Sequence, residues 1–170
     1  CASCLPGKFQ NARGQSACKS CIAGRYTSSG AASKCRSCPA GFYSPNNNFA
    51  LCERCLPGAF QDTAAAADCK DCPHGYYSSD PNATACSSAP AGHVVNALKS
   101  GFIPCGKGKY RSAAEKTNCS DCPKGFAGSS TGLTSCNACE EGEYSNQKGL
   151  TNCASCLPGK FQNARGQSAC

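Results

Sequence analysis

Apolar and polar positions along this chain follow a long, even beat. A glycine is followed two residues later by an aromatic, and then by about eight polar or small residues before the beat returns. The aromatics are Phe9, Tyr26, Tyr43, Phe60, Tyr77, Tyr110, Tyr144 and Phe161. The glycine recurs as Gly7, Gly24, Gly41, Gly58, Gly75, Gly92, Gly108, Gly125, Gly142 and Gly159. Val94 and Ala127, the latter beside Phe126, hold the aromatic place in the two remaining repeats. A glycine after proline or a small residue supplies the positive φ of a tight turn, and the aromatic after it starts a short strand. Segments such as TSSGAASK and SPNNN are rich in turn formers. The pattern predicts one small hairpin per repeat, its aromatic covering a disulfide, with few backbone hydrogen bonds beyond the hairpin itself. No such hairpin buries a core alone, so stability rests on covalent staples and on stacking against neighbours.

Cysteine sets the period. Cysteines fall at 1, 18, 35, 52, 69 and 86 and again at 119, 136, 153 and 170, a step of 17 residues with one disturbance. A second series stands three residues behind, at 4, 21, 38, 55 and 72 and then at 105, 122, 139 and 156. The fold class that follows is small, disulfide-rich and mostly β or irregular, a tandem solenoid-like array of stapled hairpins of about 17 residues. Regular repeats are expected over residues 1–85 and 105–170. A degenerate repeat at 86–104 separates them, with Ala89 and Phe102 where cysteines belong.

Those two replacements bear on connectivity, which spacing alone leaves open. If each second-series cysteine bonds the first-series cysteine fourteen residues later, the double loss removes one whole bridge and strands no thiol. The expected pairs are then Cys4 with Cys18, Cys21 with Cys35, Cys38 with Cys52, Cys55 with Cys69, Cys72 with Cys86, Cys105 with Cys119, Cys122 with Cys136, Cys139 with Cys153, and Cys156 with Cys170. Bonding within each CxxC is an alternative; it leaves Cys86 and Cys105 widowed unless they join each other across 19 residues. Zinc held by two CxxC pairs is another, although Ala89 and Phe102 would then break two sites. A thioredoxin-type redox motif lacks its surrounding βαβ pattern. Closing a loop of about 14 residues stabilises by roughly 3 kcal/mol through the unfolded chain, more than the small apolar contact of one repeat supplies.

Cys1 is left over on the forward scheme, so its partner is expected outside the chain, fourteen residues upstream. Residues 1–18, CASCLPGKFQNARGQSAC, recur without change as residues 153–170, with 152 residues from one start to the next. Other repeats differ from one another at most variable positions. The expectation is a window on a longer polypeptide of tandem 152-residue blocks, or a chain that overlaps its own next copy in a periodic assembly.

Composition narrows the class. In 170 residues, 19 Cys, 18 Gly and 10 Pro with no Trp or Met exclude one large core, and cysteine at this density belongs to oxidising compartments. The absence of Met suggests a processed or partial chain. No apolar run approaches the roughly 18 residues that cross a bilayer, so this segment does not insert, and no signal-peptide pattern is present. The net charge of +7 is uneven: residues 1–52 carry Lys8, Arg13, Lys19, Arg25, Lys34 and Arg36 and no acid, whereas 53–98 sum to −3. Alternating patches of this kind steer contacts between neighbouring chains or form plain solvated surface. Nucleic-acid binding is not expected, because the aromatics keep a fixed place in the repeat and do not interleave with a basic cluster.

The CxxCxxGxY frame resembles the ephrin-receptor-like cysteine-rich repeat, a relative in style of tumour-necrosis-factor-receptor and growth-factor-like modules. The resemblance spans all ten repeats and is weakest at 86–104, where Ala89, Val94 and Phe102 depart from it. It implies forward pairing of each second-series cysteine and an extracellular, secreted or cell-surface setting. Long arrays of such repeats are also similar to parts of mastigoneme (flagellar-hair) glycoproteins.

Candidate chemistry is sparse. His74 and His93 stand without an acid, base or nucleophile at motif spacing, so no enzyme is expected. Glu140, Glu141 and Glu143 lack the ligand spacing of a calcium loop. Two sequons, Asn82 in NAT and Asn118 in NCS, are expected to be exposed and to carry glycans. In HVVNALKSGFIP, Val94, Leu98 and Phe102 fall at helical spacing. They are expected to fill the space of the missing bridge as a local core, or to dock a neighbouring strand. The function expected is a structural subunit of an extracellular filament or surface hair, partnered by copies of itself, with other extracellular glycoproteins as further candidates, and without cofactor or metal. The alternative is the ligand-binding or adhesion ectodomain of a receptor.

Overall fold

The computed structural model describes residues 3–115 and 117–170. Among them no helix forms, and the strands come in consecutive pairs. They are β1 (Lys8–Phe9) with β2 (Lys19–Ser20), β3 (Arg25–Tyr26) with β4 (Arg36–Ser37), β5 (Phe42–Tyr43) with β6 (Glu53–Arg54), β7 (Ala59–Phe60) with β8 (Lys70–Asp71), and β9 (Tyr76–Tyr77) with β10 (Ser87–Ser88). Then follow β11 (His93–Val95) with β12 (Phe102–Pro104), β13 (Lys109–Tyr110) with β14 (Ser120–Asp121), β15 (Phe126–Ala127) with β16 (Asn137–Ala138), and β17 (Glu143–Tyr144) with β18 (Ala154–Ser155). Each odd strand begins just after the turn glycine, and its second residue faces the residue that follows a first-series cysteine: Phe9 opposite Lys19, Tyr26 opposite Arg36, Phe60 opposite Lys70.

Eight of these hairpins are closed by disulfides, Cys4–Cys18, Cys21–Cys35, Cys38–Cys52, Cys55–Cys69, Cys72–Cys86, Cys105–Cys119, Cys122–Cys136 and Cys139–Cys153; β11–β12 has none, and Cys156–Cys170 closes the last repeat, each bridge spanning 14 residues. The core is largely sulfur. Cys21, Cys38, Cys55, Cys72, Cys105, Cys122 and Cys139 are fully enclosed, and Ala89 takes the same place in the degenerate repeat. Cys1 lies outside the described residues.

The chain folds as two compact bodies, residues 1–87 with 97–101 and residues 88–96 with 102–170. In the first body each repeat grips the next through main-chain groups. The turn glycine donates to a carbonyl of the following repeat, as in Gly7 to Thr27 (2.9 Å), Gly24 to Ser44 (3.0 Å), Gly41 to Gln61 (2.8 Å) and Gly58 to Ser78 (2.9 Å). The buried half-cystine carbonyl accepts in return: Cys4 from Ala31, Cys21 from Asn48, Cys38 from Ala65 and Cys55 from Asn82, at 2.8–3.0 Å. The second body repeats the scheme, with Gly92 bonded to Arg111 and Gly108 to Gly128, and with Cys105, Cys122 and Cys139 accepting from Gly132, Gly149 and Gly166. The expectation of few backbone bonds beyond the hairpin is therefore corrected. Two-residue strands leave most amides unpaired within a repeat, and a buried amide must find a carbonyl elsewhere.

Candidate functional site

A repeat protein carries its function on the surfaces its repeats present, so the places where the repeat is regular and the place where it breaks are the two candidates. In the regular repeats, the interlock reaches two repeats ahead. Gly7 has φ +81°, and a Cβ built there would lie 2.0 Å from the carbonyl oxygen of Asn48. The glycine is thus demanded twice, by its left-handed turn and by the chain passing over it. Of the residues that follow a strand aromatic, Thr27, Ser44, Gln61, Ser78 and Ser145 are buried beside the interlock, and Gln10 is half-buried. Their short polar side chains bond neighbouring main chain, as Thr27 Oγ1 to Ser29 O (3.1 Å) and Gln61 Nε2 to Asp68 O (2.6 Å). Outside the interlock stand exposed aliphatic residues at one fixed place, directly after the second-series cysteine: Leu5, Ile22, Leu56 and Leu157.

The break is built differently. Lacking its disulfide, the degenerate hairpin lengthens to three pairs, His93 with Pro104, Val94 with Ile103 and Val95 with Phe102. Phe102, at the cysteine place, sets its ring edge-on to His93 with centroids 5.1 Å apart. Arg111, 2% exposed, occupies the place that Thr27 and Ser44 hold elsewhere. One guanidinium nitrogen donates to three carbonyls, Ala89 (3.2 Å), Pro90 (2.7 Å) and His93 (2.6 Å). A buried cation is costly unless its donors are satisfied; these three oxygens converge on one nitrogen where the bridge is missing, while Arg111 Nε is buried without a partner. Arg111 is therefore a polar staple in place of a covalent one. Sequence reasoning missed it, and its one signal was an arginine at a position that the other regular repeats fill with Ser, Thr, Gln or Gly and the degenerate one with Val95.

The helical spacing of Val94, Leu98 and Phe102 is corrected by this hairpin. Val94 and Phe102 lie on its strands, and Leu98 lies in the turn between them, where Lys99 adopts φ 53° and ends any helical run. Nor do the three make a local core: Val94 is half-buried, Phe102 is 41% exposed and Leu98 78% exposed. The Leu98 carbonyl serves the interlock, packing over Gly58, while the Lys99 carbonyl accepts from Ser78 N–H at 3.0 Å.

The sequons part company. Asn118 is exposed, as expected, beside bridged Cys119. Asn82 is half-buried, against expectation. It holds φ 65°, donates its amide to Cys55 O, lays its carbonyl over Gly41, and has a buried Oδ1 without a partner. His74 is exposed, and His93 bonds Ala91 O through Nδ1 at 3.1 Å. Glu140 and Glu141 are exposed, Glu143 is half-buried, and Glu140 pairs with Arg165. No group of three or more His, Cys, Asp or Glu among the described residues gathers as a metal site, and no helix there is long and apolar enough to cross a membrane.

The family model described as tyrosine-protein kinase ephrin type A/B receptor-like matches residues 1–34 and 27–68. Over those residues the chain is similar to ephrin-receptor-like cysteine-rich repeats, and the same disulfide-bonded hairpins continue through the rest of the described residues. No curated protein matches it. The repeat type and the disulfide density point to an extracellular or cell-surface setting.

Proposed function

We propose that the chain is a structural segment of an extracellular filament or surface hair, a covalently stapled array whose role is mechanical. The observation that carries this reading is the duplication of residues 1–18 as 153–170 in an array whose repeats grip one another through main-chain groups. Such contacts need the repeat's backbone and a glycine, not particular partners, so the same join continues block after block. The disulfides limit what local opening under load or proteolysis releases, and a glycan on exposed Asn118 keeps the surface solvated. Val94, Leu98 and Phe102 keep the role of contact points for neighbouring strands or other extracellular glycoproteins; normal assembly of chains carrying Leu98→Ser and Phe102→Ser would remove it. Negative-stain images of native material test the main reading. A regular axial repeat is expected, and dispersed single chains would contradict it.

A second reading, a ligand-binding or adhesion ectodomain, is favoured by the exposed Leu5, Ile22 and Leu56, which recur at one place in the repeat. The full polypeptide separates the two. Many 152-residue blocks support the filament, whereas an unrepeated head domain and a single membrane span support the receptor.

A further inference from the structure

The first body carries one kind of groove twice, with different linings. One copy, of about 240 Å³, lies between Thr27 and Arg36 in the β3–β4 repeat. The other, of about 330 Å³, lies three repeats on, between Tyr77 and Ser87. Hydroxyls hold matching places in both: Thr27 and Ser78, Ser28 and Ser79, Ser33 and Thr84. The hydroxyl lining thus belongs to the repeat, and the charged lining does not. Lys34 and Arg36 of the first groove are replaced by Ala85 and Ser87 in the second, and Ser29 is replaced by Asp80.

No acid lines the first groove, and residues 1–52 hold none. The acid nearest in sequence, Glu53, is bonded by the Tyr43 hydroxyl in the next hairpin. Lys34, Arg36, Ser28, Ser29 and Ser33 are all exposed. A cleft lined by charge of one sign concentrates ions of the other. Ala32 is the single apolar residue of the lining, and no aromatic joins it. The lining therefore offers cations and hydroxyls without the apolar walls of an enclosed small-molecule site, and its volume falls below the roughly 300–1,000 Å³ of such sites. It suits one polar unit of a longer ligand. A further cation stands one repeat earlier: exposed Lys19 faces Phe9 across its hairpin as Arg36 faces Tyr26.

We infer that the groove from Thr27 to Arg36 binds an acidic extracellular polysaccharide. Lys34 and Arg36 take the sulfate or carboxylate oxygens of one sugar unit, an arrangement in which charge strengthens each hydrogen bond. Ser28, Ser29 and Ser33 meet the sugar hydroxyls, and Lys19 takes an anionic group further along the chain. Single-stranded nucleic acid, also a polyanion, would want aromatic platforms for its bases, which the groove lacks. The inference needs the extracellular setting and holds for a filament and for a receptor ectodomain alike.

Calorimetric titration of the full, oxidised chain with heparin, dextran sulfate, hyaluronate and neutral dextran tests it. Heparin is expected to bind and neutral dextran not to. Binding of dextran sulfate would name the sulfate ester as the group held, and binding of hyaluronate without dextran sulfate would name the carboxylate; either supports the inference. Lys34→Gln with Arg36→Gln is expected to weaken heparin binding about a hundredfold, two charge-assisted contacts at about tenfold each. Lys107→Gln with Lys124→Gln removes the same charge from exposed places outside the groove and is expected to cost less than about fivefold. Because the second groove shares the first one's form, Asp80→Ser, Ala85→Lys and Ser87→Arg are expected to restore heparin binding to the Lys34→Gln, Arg36→Gln chain. Peptide mapping of the Cys21–Cys35 bridge checks that the variants are folded. Heparin bound no better than neutral dextran, equal losses from the two lysine and arginine pairs, or no recovery on the second groove overturns the inference. So do phosphatidylserine vesicles that bind where none of the polysaccharides does.

Discussion

Gly24 and Ala65 stand two repeats apart and meet backbone to backbone: a Cβ on Gly24 would lie 2.0 Å from the carbonyl oxygen of Ala65. Both sit in the left-handed region, Gly24 at φ +79° and Ala65 at φ 61°. One side of the contact is free of strain. The other carries the ~1–2 kcal/mol that a left-handed conformation costs a residue with a Cβ.

The two positions therefore respond in opposite directions to exchange. Gly24→Ala adds strain and a backbone collision, an expected loss of about 3 kcal/mol or more. Ala65→Gly relieves strain without moving the contact, an expected gain of roughly 1 kcal/mol, reduced somewhat by the freer unfolded chain. Denaturant midpoints with the disulfides intact check both, and a stabilising Gly24→Ala would contradict the packing described.

Arg111 offers a second test. Arg111→Met strips the donors from the carbonyls of Ala89, Pro90 and His93. Buried acceptors left in this way cost about 1–3 kcal/mol each at most, so a total loss of about 3 kcal/mol is expected in the denaturant midpoint. Restoring the regular repeat with Ala89→Cys, Phe102→Cys and Arg111→Ser is expected to form a further bridge worth roughly 3 kcal/mol. Two additional free thiols in the triple variant would show that the degenerate hairpin is not a repeat with its staple exchanged.

What was legible in the sequence is what the repeat writes in distinctive letters. The forward cysteine scheme could be seen because Ala89 and Phe102 drop out together, and the hairpins because Gly7 and its counterparts precede an aromatic. The interlock was hidden. It runs through main-chain groups, and the residues that donate to Cys4, Cys21, Cys38 and Cys55 are alanine or asparagine, residues that announce no contact. Gly7 was legible as a turn residue but not as the floor beneath Asn48, since one letter answers both demands. Val94, Leu98 and Phe102 misled because a short run samples the helical period by chance, while Lys99 gives no sign of its positive φ.

Burial ranks the two sequons. Asn82 commits its amide and carbonyl to other repeats and encloses its Oδ1, whereas Asn118 is exposed. Glycopeptide mapping of native protein is expected to find sugar at Asn118 and an unmodified Asn82. Full occupancy at Asn82 would mean that the turn is modified before the following repeat locks it.

Tyr43 faces Glu53 across its hairpin. The hydrogen bond to the Glu53 carboxylate, followed by burial and the charges of Glu53 and Asp68, holds the phenol above its ordinary value of 10.0. A raised folded-state value means that the stabilisation is complete below the unfolded value and is lost as pH rises through the folded one. Alkaline absorbance titration of the chain minus Tyr43→Phe is expected to give a midpoint above 10.0 that falls with Glu53→Ala. A midpoint at or below 10.0 would contradict the pairing.

Amide hydrogen exchange at the duplicated segments tests the interlock most directly, because Gly7 and Gly159, and likewise Gly14 and Gly166, have identical sequence neighbours and hence equal intrinsic exchange rates. In dilute single chains the predicted pattern is crossed: Gly7 and Gly166 protected by Thr27 O and Cys139 O, Gly159 and Gly14 exchanging freely. Equal protection within both pairs under those conditions would contradict an array held together by main-chain bonds between its repeats.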